Sequence, residues 1–391
     1  MRVSHGVTEG ERLRVIAAGM SALILTVGLA RFAYTPMLPV MRAQVGLSAM
    51  AGGWLATVNY AGYILGALIA SAMGDLRQKY TFYRFGLITA LVTTIAMGMT
   101  EEPLLWAFLR FLSGVSSTAG LLLASGLALN WLIRNGHTPR LGLHFAGMGV
   151  GVALSGLGAM AMANRLSWDA QWIVFGLIGL FFFLPAWFWL PRPDAAPPKS
   201  AANAAAPANR LWLLLVTLAY FCAGFGYVIS ATFIVAIVDH VPQLSGMGNA
   251  VWILVGLAAI PSSFLWDRAA AAWGQVPAMI AAFALQIVSI LLPALSNGMA
   301  ANLVAALLYG GTFVGIVNLM LSLIGRLFPA NPARAMARLT LSYGLAQIAA
   351  PAIAGILAAQ TGDYRQTLFI AAAVMGLGIV LLLVMGRNPP A

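Results

Sequence analysis

Gly28-Leu-Ala-Arg-Phe-Ala-Tyr-Thr-Pro-Met-Leu-Pro39 lies inside the first long apolar run of the chain and carries a full positive charge, Arg31, where hydrocarbon is expected. On a helix, residues three and four apart share a face, which groups Arg31 with Tyr34 and Thr35. Pro36 and Pro39 each remove a backbone donor, and in an α-helical register this frees the carbonyls of Phe32 and Thr35. A charge at membrane depth beside weakened helix reads as part of a polar pathway rather than as packing.

Composition supports the membrane setting. The chain is 61% hydrophobic and 8% charged, against about 25% charged in a soluble globular domain. That excludes an ordinary soluble fold and disorder alike. Twelve apolar runs are predicted to be spans: 14–38, 49–73, 82–100, 103–131, 141–163, 170–190, 211–238, 248–266, 275–296, 300–324, 337–359 and 366–386. Each is long enough to cross a hydrocarbon core of about 30 Å with some tilt. The expected fold is an all-α membrane protein of twelve transmembrane helices.

Basic residues set the orientation. With the N-terminus in the cytoplasm, sixteen of the 21 Lys and Arg residues fall on the inside, while Arg42, Arg165 and Arg365 fall outside. The positive-inside bias therefore places both termini in the cytoplasm, as in a multi-pass protein of a bacterial inner membrane. The net charge of +11 sits in short loops, so it reads as topology and not as a nucleic-acid surface. Cys222 is the single cysteine and lies within an apolar run, which excludes a disulfide framework or a cysteine metal site. No cleavable signal peptide is expected, because the first run is long and leads straight into Arg31.

One segment differs from the rest. Residues 191–210 are rich in Pro and Ala and polar at intervals, and they divide the chain into six spans (1–190) and six more (211–391). The halves echo each other: Ser71 precedes Asp75 by four residues at the end of the second run, and Ser263 precedes Asp267 likewise at the end of the eighth. Together with the linker, this suggests a duplicated six-span unit.

These residues resemble the major facilitator superfamily over nearly the whole chain. Gly74-Asp75-Leu76-Arg77-Gln78-Lys79 occupies the place of that family's loop between spans two and three, with Leu76 where arginine is usual and Gln78 where glycine is usual. Arg110-Phe-Leu-Ser-Gly114 is similar to its Arg-x-x-x-Gly motif in span four. Gly28-x-x-Arg31-Phe-Ala-Tyr-Thr-Pro36, followed by Gly52 to Gly66, resembles the YbfB/YjiJ-type branch. The resemblance implies two six-helix bundles, alternating access, an Arg110 that faces the central cavity, and gating by Asp75 through contacts across the halves.

Arg31 has two readings. It either snorkels to the outer interface or lines the cavity and binds an anion, for which the guanidinium fork suits carboxylate or phosphate. A central arginine costs roughly 2.5–3.5 kcal/mol on translocon scales. None of the ten acidic residues lies well inside a predicted span, so a substrate with negative charge would supply the partner that Arg31 and Arg110 lack. Further lining is expected from Tyr34, Asn59 and Tyr60 in the first half and from Tyr227, Trp252, Tyr309, Tyr343 and Gln347 in the second. Asp75, Lys79, Asp267 and Arg268 are gating or structural candidates at span ends. Coupling, if protons are used, has His144 and Asp239 to draw on, although His144 reads as a solvated helix-end histidine. The small-residue stripes Gly62/Gly66 and Gly147/Gly151/Ser155 read as close helix packing.

No catalytic set, Walker-type loop or metal spacing occurs, so neither an enzyme nor a cofactor is expected. The leading reading is a monomeric secondary or facilitative transporter for a small organic anion or a carboxylate-bearing zwitterion. A multidrug efflux antiporter for lipophilic compounds is the first rival, and a membrane sensor or assembly protein the second.

Overall fold

Capping residues explain where the helices begin. Thr8 accepts from the Glu11 backbone while the Glu11 side chain returns to the Thr8 backbone, a reciprocal box that opens the first helix. Ser48 and Asp75 cap the second and third helices, and Pro103 stands at the first position of the fourth. Gly46 ends the first helix at φ 68°, a left-handed conformation that glycine adopts without a Cβ penalty.

The structure is a computed structural model that describes residues 8–138, 141–163, 165–193, 209–239, 246–329, 332–361 and 365–387. Among these, all regular structure is helical. The helices are α1 (Glu9–Val45), α2 (Ala49–Ala72), α3 (Leu76–Ala96), α4 (Pro103–Arg134), α5 (Gly142–Met162) and α6 (Trp168–Trp189). They continue with α7 (Arg210–Asp239), α8 (Gly248–Trp273), α9 (Gln275–Leu295), α10 (Met299–Leu327), α11 (Pro332–Thr361) and α12 (Arg365–Arg387). Each contains the core of one predicted run. Most of the 191–210 segment lies outside the described residues, as does the Asp239 side chain.

Ten of these helices are long and apolar enough to cross a membrane. Of the two others, α3 carries Arg77, Lys79 and Arg84 near its start and four threonines along its length, and these polar residues dilute its apolar run without shortening the helix. α11 opens with Arg334 and Arg338, and most side chains of its second half lie outside the described residues.

Two helices depart from α-geometry. α1 is a π-helix over Ile24–Phe32, and α4 over Ala119–Ala124. Such widened turns mark functional sites or crowded crossings. Here α1 crosses α5 so closely that a Cβ on Gly28 would run into the backbone of Gly151. Likewise a Cβ on Gly62 would meet the Phe111 carbonyl, which brings α2 flush against α4. In lipid, where apolar surface gains nothing by leaving the solvent, backbone approach of this kind carries helix association.

Beyond neighbours in sequence, α5 lies along α8 and α2 along α11. At one end of the molecule, Asp267 Oδ2 accepts from the Gly142 backbone N–H at 2.9 Å, and Arg334 Nε donates to the Ser71 carbonyl at 3.1 Å. These contacts join the first six helices to the last six.

Candidate functional site

The π-helix of α1 aims its backbone at α4. Ser113 Oγ donates to the Ala30 carbonyl at 2.7 Å, and Ser117 Oγ to the Thr26 carbonyl at 3.3 Å. Arg110 NH1 donates to the Ala30 carbonyl at 3.0 Å, and its NH2 to the Arg31 carbonyl at 3.4 Å. The π-segment ends at Phe32 and Pro36 lies in the α-helical continuation Tyr34–Val45; the carbonyls of Ala30 and Arg31, just before the register changes, are the ones that Arg110 fills.

Arg110 is accordingly held by backbone. It is 2% exposed, and its guanidinium lies 4.4 Å from the Tyr34 ring centroid. Tyr34 donates its hydroxyl to the Gly52 carbonyl at 2.8 Å, and Asn59 Nδ2 donates to the Arg110 carbonyl at 2.8 Å. Three predicted site residues, Tyr34, Asn59 and Arg110, therefore form a clasp of α1, α2 and α4.

Arg31 is held differently. Its side chain is 5% exposed, yet among the described residues its one hydrogen bond is a long 3.4 Å contact from NH2 to Gln347 Oε1 on α11, and its Nε, like that of Arg110, has no partner. The rings of Tyr60 and Tyr63 both stand 4.8 Å from the guanidinium carbon, with Phe32 at 5.6 Å. Cation–π attraction offsets part of the desolvation cost but leaves the forked N–H groups underused. Among the described residues no carboxylate pairs with Arg31, and the ion pair present is Glu9 with Arg12 at the start of α1.

An aromatic wall faces this cation from the second half. Tyr227 stacks on Tyr309, Phe313 and Tyr343, with centroids 5.5 to 6.2 Å apart, and Tyr343 stacks on Tyr220 at 4.5 Å. The Tyr309 hydroxyl donates to the Tyr227 carbonyl at 3.3 Å. Tyr227 and Tyr309 lie within electrostatic reach of Arg31. Trp252 meets Phe32 edge-on at 5.9 Å and donates to Ser155 Oγ at 3.3 Å, closing one side. Thr340 lies beside Tyr63 and Tyr220, and among the described residues Gln286 Nε2 is buried without a hydrogen-bond partner.

Phe313 and Thr340 were not anticipated. Their signal was weak but present: Phe313 lies one helical turn beyond Tyr309, and Thr340 one turn before Tyr343.

At the arginine-rich end, Asp75 is occupied with capping its own helix, accepting from the Arg77 backbone at 3.1 Å. Asp267 is the carboxylate that reaches across the halves, and its Oδ1 also accepts from Asn318 at 2.9 Å. Arg268 lies over the Phe264 ring at 4.3 Å. Lys79 is 0% exposed, and burial followed by the charges of Arg334 and Arg338 presses its ammonium down to about 7.

His144 departs from its expected place in solvent. It is 0% exposed, with Nε2 2.7 Å from Ser125 Oγ and Nδ1 pressed against Gly19 without a hydrogen-bond partner. α1 covers the start of α5, and a helix end so covered has no water to offer. No group of three or more His, Cys, Asp or Glu residues that could hold a metal ion occurs among the described residues.

Comparison with known proteins gives a consistent answer. The family described as "Uncharacterised MFS-type transporter YbfB" matches residues 23–383. An "Uncharacterized MFS-type transporter YceJ" of Bacillus subtilis (strain 168) is 23% identical over 273 residues, 66% of this chain and 67% of that protein. A quinolone resistance transporter of Acinetobacter baumannii is 25% identical over 157 residues, 39% of this chain and only 36% of that protein. The crystal structure of the human organic anion transporter MFSD10 (TETRAN) superposes with a TM-score of 0.73 at 17% identity, covering 95% of this chain and 99% of that one. At that identity the likeness concerns the fold alone. The family match spans nearly the whole sequence, and with it the chain belongs to the YbfB-type transporters of the major facilitator superfamily, as a multi-pass integral membrane protein.

Proposed function

We propose that this transporter moves a small organic anion, or a zwitterion bearing a carboxylate, across the bacterial inner membrane. Two six-helix bundles, residues 1–190 and 211–391 joined by the 191–210 linker, rock about a midplane site. Twelve spans place both termini in the cytoplasm, in line with the positive-inside bias.

The observation that carries this reading is Arg31. It is a buried cation with a single 3.4 Å bond to Gln347, no carboxylate partner among the described residues and an orphaned Nε. A charge left in this state is costly, and an incoming carboxylate relieves it. Gln347 sits on α11 and Arg31 on α1, so a substrate that displaces Gln347 loosens a link between the bundles. The tyrosine wall suits an anion with an apolar or aromatic body. The organic anion named for the human structural relative agrees with this class, although the shared fold does not by itself transmit a substrate.

The test is uptake of anionic metabolites into proteoliposomes, with a parallel thermal-shift screen on wild type and Arg31→Ala. A ligand that stabilises the wild type and drives uptake, with both effects lost in the variant, supports the reading. Undiminished uptake by Arg31→Ala overturns it.

A second reading, efflux of lipophilic compounds, draws on a specific observation. Arg110 is spent on the carbonyls of Ala30 and Arg31, which leaves one cation rather than two to repel a cationic drug. The partial likeness to a quinolone resistance transporter points the same way. Accumulation assays with neutral and cationic dyes separate the two readings.

A further inference from the structure

A second basic site lies far from the candidate substrate site, on the outer flank of the helix array between α3 and α6. Here Tyr83 Oη donates to the Ala186 carbonyl at 2.6 Å and Tyr80 Oη to the Leu190 carbonyl at 3.3 Å, clamping the start of α3 to the end of α6. Beside this clamp opens a groove of about 570 Å³, lined by Tyr80, Arg84, Phe85, Ile88, Trp187 and Arg192.

Its chemistry is one-sided. The Arg84 guanidinium carbon stands 3.4 Å from the Trp187 ring centroid, so the planar group is laid flat on the indole. Arg84 Nε is shut away without a hydrogen-bond partner, and among the described residues neither Arg84 nor Arg192 has an ion pair. Among the described residues no acidic side chain lines the groove. Along its rim, Phe85 is 63% exposed and Ile88 41% exposed, and Phe188 and Trp189 beside it are also open. In an integral membrane protein such a surface faces acyl chains, while tryptophan and arginine mark the headgroup level.

We propose that this groove seats an anionic phospholipid. Its phosphate lies against Arg84 and Arg192, and its chains run along Phe85 and Ile88. Two guanidinium groups and no carboxylate match a phosphodiester, and the adjoining apolar rim matches a lipid rather than a soluble anion. The orientation proposed above puts the site in the cytoplasmic leaflet, but the binding chemistry does not depend on that choice or on Arg31.

The test is native mass spectrometry of the delipidated full chain titrated with phosphatidylglycerol or phosphatidylcholine, with thermal shifts alongside. The wild type is expected to prefer phosphatidylglycerol by roughly fivefold for each arginine engaged. Arg84→Gln/Arg192→Gln should lose that preference. Arg192→Gln alone, at an exposed position that folding does not need, should lose part of it. Soluble glycerol phosphate should shift neither the mass spectrum nor the melting temperature. Equal binding of the two lipids by the wild type, or a preference unchanged in both variants, overturns the proposal. A shift with glycerol phosphate as large as that with lipid replaces the lipid with a soluble anion and overturns it too.

Discussion

Arg110 donates to the backbone carbonyl of Arg31 at 3.4 Å, so one arginine of the first half holds the main chain that carries the other. Both are buried and both were candidates for the substrate, but their surroundings divide the work. Arg110 ties α4 to the π-helical turn of α1. Arg31 keeps most of its hydrogen-bonding capacity in reserve.

This division predicts opposite stability effects. Arg110→Ala strips donors from the Ala30 and Arg31 carbonyls, and bonds to a charged donor are worth about 1.5–3 kcal/mol each. The variant should melt several degrees below wild type without ligand. Arg31→Ala removes a buried charge with one long bond, so its ligand-free melting temperature should match or exceed that of wild type. Scanning fluorimetry of the two variants in one detergent decides. If Arg110→Ala is as stable as wild type, the clasp is not structural.

Substitution within the cationic class should separate charge from shape. Arg31→Lys keeps the charge but lacks the planar fork that stacks between Tyr60 and Tyr63 at 4.8 Å. Its affinity for an anionic ligand should fall about tenfold or more, while anions still bind better than neutral analogues, as expected when one charge-assisted bond is lost. Wild-type affinity in Arg31→Lys means that the site reads charge alone.

The fold was legible because the helices are apolar runs of nearly the length the bilayer demands, and caps such as Ser48 and Pro103 sit where the runs begin, whereas Asp75 opens α3 six residues ahead of its predicted run. The site was legible in part. Tyr60 was expected to line the cavity near Arg31, and bulk and polarity drew attention to Tyr227, Tyr309, Tyr343 and Gln347; Tyr34, which helical spacing grouped with Arg31, packs against Arg110 instead. Spacing gives a face, however, and not the partner on that face. Arg110 and Arg31 look alike as sequence, and what separates them is an i→i+5 register that no local pattern announced. His144 was misplaced for a similar reason, since only the packing of α1 over α5 shows that its helix end is dry.

Gln347 offers a test of the link between the halves. Gln347→Glu puts a carboxylate where the amide oxygen now accepts from Arg31, giving that cation a built-in partner. The ligand-free protein should become harder to melt, and anion affinity should fall by at least about tenfold, since coupling between close buried charges exceeds 1.4 kcal/mol in measured cases. Isothermal titration with the ligand from the screen reads the affinity directly. An unchanged affinity in Gln347→Glu would falsify the displacement of Gln347 by substrate.

Lys79 predicts a dependence on pH. It lies outside the predicted span 82–100, and its folded-state value of about 7 stands below the ordinary 10.5, chiefly through burial and then through Arg334 and Arg338. Below pH 7 the ammonium is charged in both folded and unfolded chains, and the folded state carries the cost of burying it near Arg334 and Arg338. Between about pH 7 and 10.5 the folded protein binds fewer protons than the unfolded one, so stability rises with pH across that window. The same sign applies to any state that wets Lys79: acid favours opening of the packing around it. Lys79→Met removes the titrating group, so its melting temperature should exceed that of wild type at pH 6 and lose more than half of that advantage by pH 9. Parallel melting curves for both proteins across this range would show instead that Lys79 keeps an ordinary proton affinity and that the arginines of α11 leave it undisturbed.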